Sequence, residues 1–151
     1  MADLQAKMTE PIFTTQYRVI YGDTDSGGLV YYANYLRFAE MGRTEMIRHW
    51  AIPYSEMERE GFILPVTETY FRYKAPARYD ELITIAVSLA EIKHVSCRFH
   101  YQITRARPHA IEEREDLLVK GFTNHACIDR QGKLKPFPEK IREAMEGIWQ
   151  R

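Results

Sequence analysis

The sequence predicts an α+β domain in which a curved antiparallel sheet wraps around one long central helix. Two observations predict it. A helical period about five turns long follows a glycine-rich loop, and four segments of strand character then follow in succession. Consecutive strands joined by short turns form an antiparallel sheet, and a helix with one apolar face must pack on it.

The elements read in order as follows. Residues 1–10 carry no periodic pattern and are expected to fray. Residues 11–20, PIFTTQYRVI, are rich in β-branched and aromatic types and read as a strand. YGDTDSGG is a loop, since two adjacent glycines and small polar residues break regular structure. The helix is predicted from near Tyr32, with Tyr32, Tyr35, Leu36, Ala39, Met46, Ile47 and Trp50 as its apolar stripe and Arg37, Glu45 and Arg48 off it. Pro53–Glu60 is a short second helix that Gly61 ends. Residues 62–73 read as a strand, KAPARYD as a turn or edge around Pro76, and 81–91 and 94–104 as strands. The charged stretch 105–116 is expected to be a loop, 117–129 a strand, DRQGK a turn, and 138–149 a closing helix.

Composition narrows the class. The 151 residues suit a single domain spanning the whole chain, with no linker or repeat. Lys plus Arg and Asp plus Glu balance at 21 each, which argues against a nucleic-acid binder. Cys97 and Cys127 are too few for a disulfide framework and fit a reducing compartment. No apolar run has the length of a signal peptide or a membrane span, so a cytoplasmic location without integral membrane association is expected.

The chemistry-bearing segment is Asp23-Thr24-Asp25-Ser26-Gly27-Gly28, just ahead of the predicted helix. Glycines let the backbone approach a ligand, and a helix start offers unpaired N–H groups with the positive end of the macrodipole. A carboxylate beside them can attack a polarised carbonyl or activate water, so the combination suits acyl transfer. The alternative is that Asp25 or Ser26 simply caps a turn or the helix. The segment also resembles the start of an EF-hand calcium loop, but Gly27 and Asn34 occupy positions where such a loop needs acidic or amide ligands and a closing Glu. His94 and His100 share one strand face while Cys97 points to the other, and His125 with Cys127 offers two ligands only, so no metal site is expected. No G-x-S-x-G elbow accompanies Ser26, Ser55, Ser88 or Ser96.

The run YGDTDSGGLVYYANYLRFAEMGRTE resembles the hot-dog-fold thioesterases, both 4-hydroxybenzoyl-CoA thioesterase and the Tol-Pal-associated acyl-CoA thioesterases. KAPARYDELITI resembles the same families, and the likeness covers about residues 11–130. The resemblance implies a hot-dog fold and hydrolysis of an acyl-CoA to free acid and CoA. It implies Asp25 as the catalytic carboxylate and the backbone N–H of Tyr32 as the group polarising the thioester carbonyl. Gly27 and Gly28 would shape the acyl site with the Tyr32 N–H, and Asn34 and Tyr35 match the family's N-Y pair at the helix start, with Asn34 as a substrate-binding residue. Glu40 falls where the hydroxybenzoyl enzyme has an Asp that meets the phenol, although the Tol-Pal group carries Glu there too. Tyr32 matches the former group, where many Tol-Pal members have His; Arg43-Thr44-Glu45 leans toward the latter. Lys74 and Arg78 flank Pro76 and are candidates for the CoA phosphates, against a reading as solvated turn residues. Asp23 is given no chemical step, so its replacement by Asn is expected to cost much less activity than that of Asp25. No cofactor beyond substrate CoA is implied, and a homodimer or homotetramer with its site at the subunit interface is. The alternatives are a non-catalytic acyl-CoA-binding or sensor module on the same fold, and a hot-dog dehydratase, which would need a His that the loop lacks.

Overall fold

A computed structural model describes residues 6–106 and 115–151. Its strands are β1 (Phe13–Arg18), β2 (Phe62–Ile63), β3 (Val66–Tyr73), β4 (Leu82–Ile92), β5 (Ser96–Ala106), β6 (Glu115–Ala126) and β7 (Ile128–Asp129); its helices are α1 (Asn34–Trp50), α2 (Tyr54–Arg59) and α3 (Glu139–Glu146). The main sheet has the order β1-β4-β5-β6-β3 with every pairing antiparallel. The α+β expectation is thus borne out, with one refinement. β3 does not lie beside β4, which follows it in the chain; it pairs with β6 at the opposite edge.

The period-two pattern marks the inner face correctly. Ile83, Ile85, Val87 and Leu89 on β4 and Phe99, Tyr101 and Ile103 on β5 are all buried against α1. Tyr35, Phe38, Ala39, Gly42, Met46 and Ile47 supply the helix side of this core. The predicted stripe contained Leu36 and Tyr32, which are 40% and 62% exposed, and omitted Phe38 and Gly42. Phe38 decides the rotation: its ring lies against Tyr17 (5.0 Å) and Tyr35 (5.7 Å), and Leu36 then falls off the core face. Gly42 lets the helix approach closely, since a Cβ there would lie 2.6 Å from Ile85 Cγ2 and 2.7 Å from Val87 Cγ2.

Several boundaries differ from the sequence reading. The helix starts at Asn34 rather than near Tyr32. The segment 62–73 is broken at Leu64-Pro65, because proline has no N–H to give to a ladder; β2 leaves the main sheet and pairs with β7. Residues 105–106 and 115–116, expected in a loop, extend β5 and β6, and the rest of that charged stretch lies outside the described residues. Residues 6–9 lie on the outer face of the sheet: Thr9 N–H donates to Ser88 Oγ (3.2 Å) and His100 Nδ1 meets the Lys7 carbonyl (2.7 Å). The start of the segment expected to fray lies outside the described residues.

Candidate active site

The loop from Tyr21 to Tyr31 is organised by its two aspartates, which do different things. Asp23 is fully buried. Its Oδ2 accepts the Tyr17 hydroxyl (2.8 Å) and the Ile20 N–H (2.9 Å), its Oδ1 accepts Arg37, and its carbonyl accepts Tyr31 N–H (2.9 Å) and Asn34 Nδ2 (2.8 Å). Asp23 therefore ties the loop to both β1 and α1. Asp25 is exposed, and its Oδ1 accepts the N–H groups of Gly27 (2.8 Å) and Leu29 (3.2 Å). The turn-capping role weighed above is real, but it uses one oxygen; among the described residues no donor meets Oδ2. Gly28 completes the turn at φ +79°, a conformation that side chains disfavour.

Asp25 faces a cleft of about 300 Å³ whose walls include Val30, Tyr32, Tyr35, Tyr73 and Lys74. Tyr32 sits two residues before α1. Asn34 N–H turns back to Tyr31 (2.9 Å) and Tyr35 N–H to Tyr32 (3.4 Å), while among the described residues the Tyr32 N–H has no partner. No side chain caps the helix start, so this N–H stands unpaired at the positive end of the α1 dipole. The Tyr32 carbonyl is held by the Tyr73 hydroxyl (3.1 Å), and the Tyr35 hydroxyl accepts the Ala77 N–H (2.9 Å), which fastens the KAPARYD turn to the helix. Burial pushes the phenols of Tyr35 and Tyr73 above their ordinary value, so both stay protonated.

The remaining predicted residues divide between two places. Lys74 lines the Asp25 cleft. Arg78 does not line it but pairs backbone to backbone with Leu29, which does, and neither cation forms an ion pair among the described residues. Gly27 and Gly28 lie in the Asp25 turn. Asn34 spends its amide on the Asp23 carbonyl and so braces the loop. Glu40 is elsewhere: it lines a second cavity of about 260 Å³ with Arg43, Phe99 and His125. Sequence reasoning missed Asp23, Arg37 and Tyr73 as builders of the site. Their contacts span 14 residues for Asp23–Arg37 and 41 for Tyr32–Tyr73, separations that no local pattern reveals.

One long helix packed on a five-stranded antiparallel sheet is the hot-dog arrangement. The chain matches the model of the thioesterase-like superfamily over residues 19–145 and belongs to that family. Curated relatives include the acyl-CoA thioester hydrolase YbgC of Escherichia coli, 34% identical over 129 residues that cover 85% of this chain and 90% of the relative. The acyl-CoA thioesterase YbgC of Haemophilus influenzae is 32% identical over 139 residues, 90% of this chain and 96% of the relative. Among solved structures, a hypothetical protein from Thermus thermophilus superposes with a TM-score of 0.79 at 28% identity, covering 91% of this chain and 97% of that one. A 4-hydroxybenzoyl-CoA thioesterase superposes equally well, TM-score 0.79, at 19% identity over 89% of this chain and 98% of that one, and shares the fold.

Proposed function

We infer that the chain is a thioester hydrolase that cleaves an acyl-CoA to the free acid and CoA, with Asp25 as the reacting carboxylate. One observation supports the assignment of Asp25: a carboxylate with one oxygen fixed in the turn and the other without a donor among the described residues lines the same cleft as Tyr32, whose N–H is unpaired there. In this reading Tyr32 N–H donates to the thioester oxygen as negative charge develops on it. Oδ2 either attacks the carbonyl carbon or takes a proton from the water that does. Gly27 and Gly28 keep the turn tight, Asn34 holds the turn on the helix, Lys74 and Arg78 meet the CoA phosphates, and Glu40 belongs to the acyl-binding surface. The enzyme needs no cofactor. It works as a homodimer or homotetramer in which the unpaired edge of β3 meets a second copy, since an open sheet edge is otherwise a liability. A cytoplasmic location agrees with two buried free thiols and with the fact that no described helix is long and apolar enough to cross a membrane.

Asp25→Asn keeps the side-chain shape and the turn-capping oxygen while removing the charge. Thiol release from acyl-CoA should fall by at least roughly 100-fold, the lower range for loss of an acid–base group, with melting temperature and acyl-CoA binding close to wild type. An Asp25→Asn protein that retains most of its turnover would reduce Asp25 to a turn residue. A wild-type protein that binds acyl-CoA and never releases thiol would mark a sensor instead.

A further inference from the structure

The second cavity is lined by a cationic side chain that no carboxylate matches among the described residues. Arg43, on α1, lines it together with Glu40, Ile47, Tyr54, Phe99 and His125. Among the described residues no carboxylate pairs with Arg43; its one hydrogen bond goes to the Tyr101 hydroxyl (3.0 Å), and its guanidinium lies over the Phe99 ring at 6.0 Å. Glu40 lies one turn earlier on the same helix face and makes no ion pair with it.

Behind Arg43 runs a chain of hydrogen bonds whose direction is fixed. His125 Nδ1 meets the Leu64 carbonyl (2.9 Å), so that nitrogen carries the proton. Its Nε2 is then an acceptor and takes the Thr123 hydroxyl (2.8 Å). Thr123 in turn accepts the Tyr101 hydroxyl (2.7 Å), and Tyr101 accepts Arg43. Burial first, and Arg43 second, push His125 down to about 4, which keeps the ring neutral and this polarity intact. Every hydroxyl hydrogen in the chain is thus committed away from Arg43. The chain holds the guanidinium in place and accepts from it once, at Tyr101; among the described residues its other N–H groups have no hydrogen-bond partner, and Arg43 is one of the residues that line the cavity, with the Glu40 carboxylate also in the lining.

We propose that this cavity receives the far end of the acyl group and that Arg43 selects acyl groups bearing an oxygen acceptor there. The proposal rests on the thioesterase reading and names the substrate feature that the site distinguishes. Arg43 lies eight residues beyond Tyr35, a wall of the Asp25 cleft, which is about 12 Å along the helix. Donors without a protein partner are satisfied by water when no ligand is bound. An acyl tail that ends in methyl displaces that water and replaces none of its bonds; one that ends in oxygen replaces them. A hydroxyl tip can also donate to Glu40, whereas a carboxylate tip is drawn to Arg43 and repelled by Glu40, so the two oxygen chemistries separate experimentally.

The test compares kcat/KM for matched sets of hexanoyl-, ω-hydroxyhexanoyl- and adipoyl-CoA, and of decanoyl-, ω-hydroxydecanoyl- and sebacoyl-CoA. Wild type should prefer an oxygen-tipped member in at least one set. Arg43→Met should lower the oxygen-over-methyl ratio by at least about tenfold, the loss expected for a hydrogen bond to a charged group, and Arg43→Lys should keep part of it. Tyr101→Phe, which releases the guanidinium while leaving the cavity wall in place, should lower the ratio by a smaller factor and serves if Arg43→Met does not fold. Calorimetric binding of the same compounds to Asp25→Asn and to Asp25→Asn/Arg43→Met reads the preference without turnover. Absence of hydrolysis in wild type would overturn the thioesterase reading. A missing oxygen preference in wild type, or one that survives both Arg43→Met and Tyr101→Phe, overturns the proposal and leaves Arg43 a helix residue that Glu40 can neutralise.

Discussion

Asp23→Asn is the substitution on which sequence and structure disagree most, and its cost follows from the contacts. Asp23 Oδ2 accepts two donors, Tyr17 OH and Ile20 N–H, and Oδ1 accepts Arg37. An asparagine has a single acceptor oxygen. Placed at Oδ2 it keeps Tyr17 and Ile20 but turns its NH2 toward the guanidinium; placed at Oδ1 it turns the NH2 toward the Ile20 N–H. Either way one charge-assisted bond is lost, about 1.5–3 kcal/mol, and a buried donor is left without an acceptor, about 1–3 kcal/mol. The half-exposed Arg37 side chain recovers some solvation, so a net loss of about 3 kcal/mol is expected. For a chain of this size that corresponds to a fall in Tm of about 6–12 °C. Thermal melting by circular dichroism with a parallel urea titration measures it. A melting temperature within about 2 °C of wild type would refute the view that this carboxylate anchors the loop. Thiol release should fall too, through a displaced turn, so Asp23→Asn is no neutral control for Asp25→Asn.

Three other outcomes are expected. His125 is held at about 4 against an ordinary value of 6.5, so its neutral form stabilises the fold fully above pH 6.5. That stability drains as pH falls from 6.5 toward 4, by about 3 kcal/mol in all; urea titrations across this range should show the slope, and His125→Gln should flatten it. An unchanged slope in His125→Gln would assign the pH dependence to other groups. Replacing Lys74 and Arg78 together by Ala should raise KM for acyl-CoA about tenfold or more while sparing the matching acyl-pantetheine, since each lost phosphate contact is charge-assisted; equal losses on both substrates would sink the phosphate assignment. Light scattering after size exclusion should give a dimer or a multiple of it, and an active monomer would contradict a role for the β3 edge.

The sheet was legible because burial on one face leaves a period of two in the sequence: Ile83-x-Ile85-x-Val87-x-Leu89 reads directly as an inner face. The helix was legible in extent but not in rotation. Leu36 and Phe38 are both apolar, and only contact with Tyr17 on β1 decides which one turns inward. The break at Leu64-Pro65 had its signal in the proline, which a continuous apolar run concealed. Strand order was hidden, because β3 finds β6 across some 50 residues and nothing local records the partner. At the candidate site, the turn around Asp25 was legible because turn chemistry is local, while its proposed catalytic role came from the family resemblance. The anchoring by Asp23, the tyrosine wall and the Arg43 chain could not, because each joins elements far apart in sequence.

If Asp25 is the reacting carboxylate, as proposed, its divided bonding has a kinetic consequence. If Oδ2 attacks, the mixed anhydride that forms leaves Oδ1 as an ester-type carbonyl oxygen, still able to accept the Gly27 and Leu29 amides. If Oδ2 takes a proton from water, Oδ1 remains an acceptor as well. In each course the atom that changes covalent state is not the atom that holds the backbone. On the proposed role of Asp25, chemistry at Oδ2 leaves the contacts that hold the turn in place, so the loop would have nothing to rebuild before the next substrate.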